Sequence, residues 1–383
     1  MTRKNALAWG LWALFALILA ALVLHAPTKH NVTVYRDAAL LWASHRDLYD
    51  LGSIHGFLYL PQSAMAFLPV TWLPLAAGEA IQRLLFLGFL AAALWKLAAR
   101  LPARPVGRWP WFFVFTLALI PCSLASARNG QTNLPIAAAL LWLTLALADK
   151  KWNGATLLLL LTLALKPVAF VPILLVAALY PAMRLRLAFG VALFLALPFL
   201  DPHWGYVVHQ YGLFWQKMAI AREPTEHGFC DFSGMIWTFA KQPMAQRLVQ
   251  GIGMVMALAA LGLGFLAKRR DPAFASFWIV AVAASYLMLF NPRTETNSYV
   301  ILGAAALPFL ADTLQRRARI ETACLIALLL SFGTDSYGNP IYPWTHLWLK
   351  AFMASGFFLY LALRVTLRRP LFAVEGKIVR PVT

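Results

Sequence analysis

Residues Ala6 to Leu24 read ALAWGLWALFALILAALVL, a run without a single charged or strongly polar side chain. At ~1.5 Å of rise per helical residue, such a run crosses the ~30 Å hydrocarbon core of a bilayer. Gly251 to Leu266, GIGMVMALAALGLGFL, repeats the pattern. With 61% of its 383 residues hydrophobic, the chain reads as an all-α polytopic membrane protein.

Short basic patches punctuate the apolar runs: Arg3 and Lys4; Lys96, Arg100, Arg104 and Arg108; Lys150 and Lys151; Arg184 and Arg186; Lys268 to Arg270; Arg316, Arg317 and Arg319; and Arg364 through Arg380. They hold 21 of the 33 Lys and Arg but only 5 of the 15 Asp and Glu, leaving +16 on one side and +2 elsewhere. That asymmetry is the positive-inside pattern, so the patches are expected to be cytoplasmic. The net charge of +18 is therefore a topology signal. No patch interleaves aromatics with cations as a nucleic-acid surface does, and no nucleic-acid partner is expected. All 8 histidines, His25, His30, His45, His55, His203, His209, His227 and His346, fall on the opposite side. The polar chemistry is expected there.

Taking the patches as turning points places about 12 passes, at 6–25, 78–99, 110–127, 132–148, 154–165, 168–180, 187–200, 247–267, 273–290, 298–312, 320–332 and 346–364. Both termini come out cytoplasmic. Lys151 and Arg184 both favour the inside, so 154–180 is expected to be a hairpin tipped by Lys166-Pro167 rather than one interrupted helix. The first segment has too long an apolar core for a cleaved signal peptide and reads as a retained anchor. Residues 1–383 form one integral membrane domain in this reading, with large outer loops at 27–77 and 201–246 forming the site. The three cysteines, Cys122, Cys230 and Cys324, make no disulfide framework.

In the first outer loop, residues 37–42 lack Gly and Pro and suit a short amphipathic helix lying at the membrane surface. Asp37 stands at its expected start. A carboxylate there can cap backbone N–H groups. It can also serve as a general base at the lip of a membrane cavity.

Asp37 with Ala39 and Trp42, Asp47-Leu48-Tyr49 and the Tyr59-x-Pro61 element resemble the first outer loop of glycosyltransferase family 87, the polyprenyl-phosphate-mannose-dependent mannosyltransferases. Gly130-Gln131-Thr132-Asn133 is similar to that family's Gly-Gln-x-Asn element, and Leu165-Lys166-Pro167 to its Lys-Pro element. Asn291-Pro292 with Tyr299 is similar to its late outer segment. The resemblance runs over residues 30–310. It implies a GT-C type glycosyltransferase fold, a polyprenyl-phosphate sugar donor, most often mannose, and a lipid or glycan acceptor at the outer face of the cell (inner) membrane. Asp37 fits the family's catalytic base.

A departing phosphate requires cations and donors, because negative charge builds on the leaving oxygen. Lys166, Arg128 and Arg293 each sit at an expected outer boundary and are the candidates for binding the donor phosphate; the alternative for Arg128 and Arg293 is snorkelling to headgroups. Gln131 and Asn133 are placed in the lining of a sugar or phosphate pocket, against the alternative that Asn133 caps a helix. Tyr59, Glu295 and Tyr299 complete the candidate substrate-binding set. One departure stands out: the family often shows a histidine shortly before the late Tyr, and this chain has Asn297. Either that histidine's role is dispensable or Glu295 takes over part of it.

The second outer loop, with His203, His209, His227, Glu223, Glu226 and Asp231, reads as solvated loop. Histidine spacings match no compact metal signature, so no metal is expected. No phosphate-cradling Gly-rich fingerprint appears, and no cofactor is implied. A transporter or flippase for a lipid-linked or polar solute is the alternative, since intramembrane cations and broken helices also mark transport paths. Against it, one clear helix interruption is visible where paired interruptions are expected.

Overall fold

The structure, a computed structural model, describes residues 3–25, 31–102, 109–167, 170–221, 228–291, 293–374 and 377–378. His30, Arg104, Arg108, Glu223, Glu226, His227, Pro292 and Arg380, named above, lie outside the described residues, as do stretches of both large loops. In chain order the helices are α1 (Arg3–His25), α2 (Asn31–Ala43), α3 (Pro61–Ala66), α4 (Leu68–Thr71), α5 (Leu75–Arg100), α6 (Trp111–Arg128), α7 (Asn133–Ala148), α8 (Trp152–Leu165) and α9 (Phe170–Leu179). They continue as α10 (Pro181–Ala196), α11 (Trp204–Ala221), α12 (Phe232–Ala240), α13 (Gln246–Arg270), α14 (Ala275–Phe290), α15 (Val300–Gln315), α16 (Arg319–Phe332), α17 (Tyr342–Thr345) and α18 (Leu349–Thr366). A short antiparallel ladder, Ala373–Val374 with Lys377–Ile378, follows.

Each expected pass coincides with a helix. Among the described residues, 7 helices are long and apolar enough to cross a membrane, and four shorter apolar ones accompany them. The architecture is that of a multi-pass membrane protein. α7, α14 and α15 are largely apolar and buried on nearly every side, so they form the centre. Small residues there, Ala137 to Ala139, Ala283 with Ala284, and Ala304 to Ala306, let helix backbones approach closely where no aqueous hydrophobic effect drives association. α1, α10 and α13 bury only 28%, 28% and 22% of their apolar windows and leave the remainder for lipid.

Ion pairs and hydrogen bonds sort the helix ends into two groups. Lys4 lies 3.8 Å over the Trp109 ring, and Arg100 at the end of α5 pairs with Asp149 just past α7. Lys268 donates to the Leu179 carbonyl, and Arg270 to Val365 and Thr366. Buried Asp312 accepts from Arg364 Nη1 at 2.6 Å, Arg316 Nε at 3.0 Å and the Phe372 amide at 2.7 Å. The basic patches thus share one end, and the acids among them staple neighbouring helices together. The first and second loops and segment 291–299 share the other end.

The Lys166-Pro167 break has a local cause. A residue preceding proline is pushed out of the α region, and Lys166 is extended at φ −163°, ψ 128°. α8 and α9 have 14 and 10 residues, about 21 and 15 Å at ~1.5 Å per residue. Both start or finish at the basic end, through the bond from Arg186 to Asn153 and the Lys268 contact with Tyr180. Each is shorter than the ~20 residues of a full pass, and Lys166 ends the first of them away from the basic end.

Two loop expectations are corrected. α2 begins at Asn31, so Asp37 is in mid-helix and is not an N-cap; the β-branched stretch Val32 to Val34 is a weak helix former, and burial of Val32 and Tyr35 holds the added turn. The second loop is helical instead of solvated. α11 carries apolar residues at 207, 211, 214, 218 and 221, one face at helical spacing, and lays that face on the first loop. Within α12, Asp231 is the N-cap, accepting from the Gly234 amide at 2.9 Å.

Candidate active site

A cavity of about 530 Å³ opens at the end opposite the basic patches. Seven segments wall it: α2, residues 55–59, the start of α7, Lys166-Pro167, the start of α9, α11 and the connection from α14 to α15. The Gly-Gln-x-Asn, Lys-Pro and late outer elements, distant in sequence, meet here.

Gly130 turns the chain into the cavity at φ +64°, which a residue with a side chain rarely adopts. A Cβ there would sit 2.2 Å from Val32 Cγ2, so α2 can pack closely only over glycine. Below it, Asn133 is fully buried. Its Nδ2 donates to Gln131 Oε1 at 2.8 Å and Asn297 Oδ1 at 3.1 Å, and its Oδ1 accepts from Lys166 Nζ at 3.2 Å. Gln131 Nε2 in turn donates to Glu295 Oε2 at 2.5 Å. Asn133 therefore joins a network and does not cap α7, whose N-cap is Thr132. The chain Lys166, Asn133, Gln131, Glu295 links a cation to a carboxylate through two amides.

Arg293 supplies a second lining cation. It adopts φ 69°, donates to the Ile54 carbonyl at 2.5 Å and lies 4.9 Å over the Phe229 ring. Glu295 interacts electrostatically with both Lys166 and Arg293. Tyr59 lines the cavity, with its hydroxyl 2.9 Å from that of Tyr35. Desolvation raises both phenol pKa values, that of Tyr59 well above the usual range, so both stay protonated. Phe170, Phe214, Trp215 and Met218 provide the apolar wall.

Not every expected residue reaches the cavity. Arg128 is exposed outside it, and its carbonyl accepts from Arg83 Nη2 at 3.3 Å. It lies at the end of α6, where a long side chain extends toward solvent more cheaply than into the protein. Tyr299 is fully buried, donating to the Cys230 carbonyl at 2.7 Å, and is a packing residue of the late segment. Asn297, at the position of the missing histidine, is tied to Asn133 and is not in the lining. Asp37 is exposed and outside the lining, three residues after Val34 of α2, which lines the wall. Arg36 anchors that helix by donating to the Val70 and Thr71 carbonyls at 2.7 and 3.2 Å. Among the described residues, Glu295 is the carboxylate within the lining.

Two buried lysines escaped the sequence reading. Lys217 of α11 donates to the carbonyls of Asp50 at 2.5 Å, His55 at 2.7 Å and Ser53, using all three of its protons. It thereby fixes the segment that carries His55 and Gly56 into the cavity wall. Gln210 grips Asp47 and the Leu48 amide at 3.0 Å each. Lys350 of α18 pairs with Asp335 at 2.7 Å and donates to the Thr296 carbonyl at 2.9 Å, next to Glu295. The helical period of α11 was a readable signal; the carbonyl partners were not. Lys217→Met leaves three carbonyls without that donor and is expected to lower stability by about 1–3 kcal/mol. Thermal unfolding and proteolysis within 50–55 check this, and an unchanged melting point with an uncut loop contradicts it.

The arrangement can hold an anion near two cations, a hydroxyl-rich group among amides and phenols, and an apolar chain along an aromatic wall. A family model, Glycosyltransferase family 87, matches residues 57–292, which include Tyr59, Gln131, Asn133 and Lys166 but not Asp37, Glu295 or Tyr299. No curated protein matches the chain.

Proposed function

The chain belongs to glycosyltransferase family 87, and from that membership and the cavity we propose that it moves a sugar, mannose, from a polyprenyl phosphate to a lipid or glycan acceptor. The observation that carries this reading is the convergence of Lys166, Arg293, Gln131, Asn133 and Glu295 on one cavity among apolar helices. A lipid-linked donor reaches such a cavity without leaving the bilayer.

In the proposed reaction an acceptor hydroxyl oxygen attacks the anomeric carbon while the bond from that carbon to the phosphate oxygen breaks. The electron pair leaves with the phosphate, whose growing charge Lys166 and Arg293 stabilise. Asp37, which this reading sets at the rim where the acceptor enters, takes the hydroxyl proton. Gln131, Asn133 and Tyr59 orient the sugar, and Glu295 holds Gln131 in place. In-line attack needs acceptor and phosphate on opposite faces of the sugar, which suits a base at the rim and cations at depth.

The charge asymmetry supports a cell membrane location, cytoplasmic termini and an extracytoplasmic cavity. Ser44→Cys in a background lacking other cysteines is expected to react with an impermeant maleimide added outside intact cells. Labelling only after permeabilisation reverses the orientation. The reaction is tested by incubating purified protein with polyprenyl-phosphate-linked radiolabelled mannose and a lipid or glycan extract. Label is expected in the extract; transfer solely from a nucleotide sugar overturns the donor class.

A further inference from the structure

Away from the cavity, His45, Asp201 and His203 meet across the junction between the end of α2 and the start of α11. Asp201 Oδ2 lies 3.0 Å from His45 Nε2, and Asp201 Oδ1 lies 3.0 Å from His203 Nδ1. The two imidazole rings are 4.2 Å apart. One ligand atom from each residue falls within 4.8 Å of the others. We propose that these three side chains bind a divalent transition-metal ion of the zinc class, which clamps the first outer segment to α11.

Donor chemistry, spacing and surroundings support a ligand set over a simple ion pair. Two imidazole nitrogens and one carboxylate are the donor types that zinc takes, and three protein ligands with an open position form a known coordination pattern. Tetrahedral bonds of ~2.0–2.2 Å give ligand separations of roughly 3.3 Å, near the two 3.0 Å contacts of Asp201, and with all the ligand atoms within 4.8 Å of one another, side-chain rotation closes the site. His45 is the left-handed residue that ends α2 at φ 52°, with the Arg46 amide donating back to the Leu41 carbonyl at 2.9 Å, so its backbone is fixed beside the start of α11. The surrounding groups preorganise the set: the His203 amide donates to Asp201 Oδ1 at 2.9 Å, and Tyr206 packs edge-on against His45 at 5.2 Å. The imidazoles are 40% and 62% exposed, leaving room for water to complete the coordination.

The consequence reaches the cavity indirectly. α11 supplies Phe214, Trp215 and Met218 to the wall, and α2 supplies Val34 and Tyr35. An ion bridging the two elements restrains both walls. It adds to the contacts of Tyr206 with the Arg46 carbonyl and of His209 with Asp47.

Full-length protein purified without a polyhistidine tag, stripped with chelator and dialysed against micromolar zinc sulfate, is expected to retain about one zinc per chain by mass spectrometry. His45→Ala and His203→Ala are each expected to lose it, while His209→Ala, altering a neighbouring histidine outside the set, keeps it. Zinc is also expected to raise the melting temperature of the wild type and His209→Ala but not of the other two, since an ion bound to the folded state stabilises it. If His45→Ala misfolds, the exposed His203 ring still carries the test, with Asp201→Asn as a further variant. Wild-type protein without stoichiometric zinc, or His203→Ala that retains it, overturns the proposal. Both readouts are independent of sugar transfer.

Discussion

Asp37→Asn is expected to slow sugar transfer about 10²- to 10⁴-fold, the range that a positioned general base contributes. The asparagine preserves shape and keeps a hydrogen-bonding oxygen but cannot accept the acceptor's proton. Because Asp37 is exposed in the middle of α2, the change is expected to leave folding and the donor constant nearly unaltered. The competing carboxylate is Glu295, the one that lines the cavity among the described residues. Glu295→Gln removes a charge that interacts with Lys166 and Arg293, so it is expected to shift the donor constant more than the turnover. Turnover measured under saturating donor separates the two roles. Near wild-type transfer by Asp37→Asn, with collapse in Glu295→Gln, reassigns the base from the rim to the interior.

Lys166→Met is expected to raise the apparent donor constant about tenfold or more. A charge-assisted hydrogen bond contributes ~1.5 to 3 kcal/mol, and ~1.4 kcal/mol corresponds to a factor of ten in binding. The ammonium already has one protein acceptor, Asn133 Oδ1, which leaves two of its protons for a phosphate. Methionine fills similar space at the tip of the hairpin, so a melting temperature close to wild type is expected to accompany the loss. Unchanged donor saturation assigns Lys166 to packing of the α8 to α9 turn. The same measurement on Arg128→Met serves as a contrast, because that side chain is exposed outside the cavity and little change is expected.

These expectations draw unequally on sequence and structure. Helix positions were legible because span length, apolar continuity and flanking charge are local properties, and bilayer thickness imposes them on each segment separately. The Lys166-Pro167 break was legible for the same reason: proline acts on the residue beside it. Gly130, Gln131 and Asn133 stood out as a motif, yet the motif did not say which partners each amide would take.

The amphipathic period of α11 was also present in the sequence, though the many histidines and acids around it read as solvated loop. What hid its role was Lys217, a residue normally placed on a surface. Its burial is tolerated because three carbonyls of one loop turn inward to receive its protons. Such compensation appears only after the loop and the helix have packed.

Sequence by itself determined the positions and order of the apolar helices, the end at which the basic patches gather, and the Lys166 turn. Tertiary structure alone decided that Glu295 meets Gln131 across 164 residues, that His45 meets Asp201 across 156, that Tyr299 and Asn297 turn inward, and that Asp37 stays exposed outside the lining. The reason is physical. Hydrophobic length and charge bias act on each segment independently, whereas a polar side chain buried in a membrane protein settles where its hydrogen bonds are met, and those partners are supplied by whichever helices pack beside it.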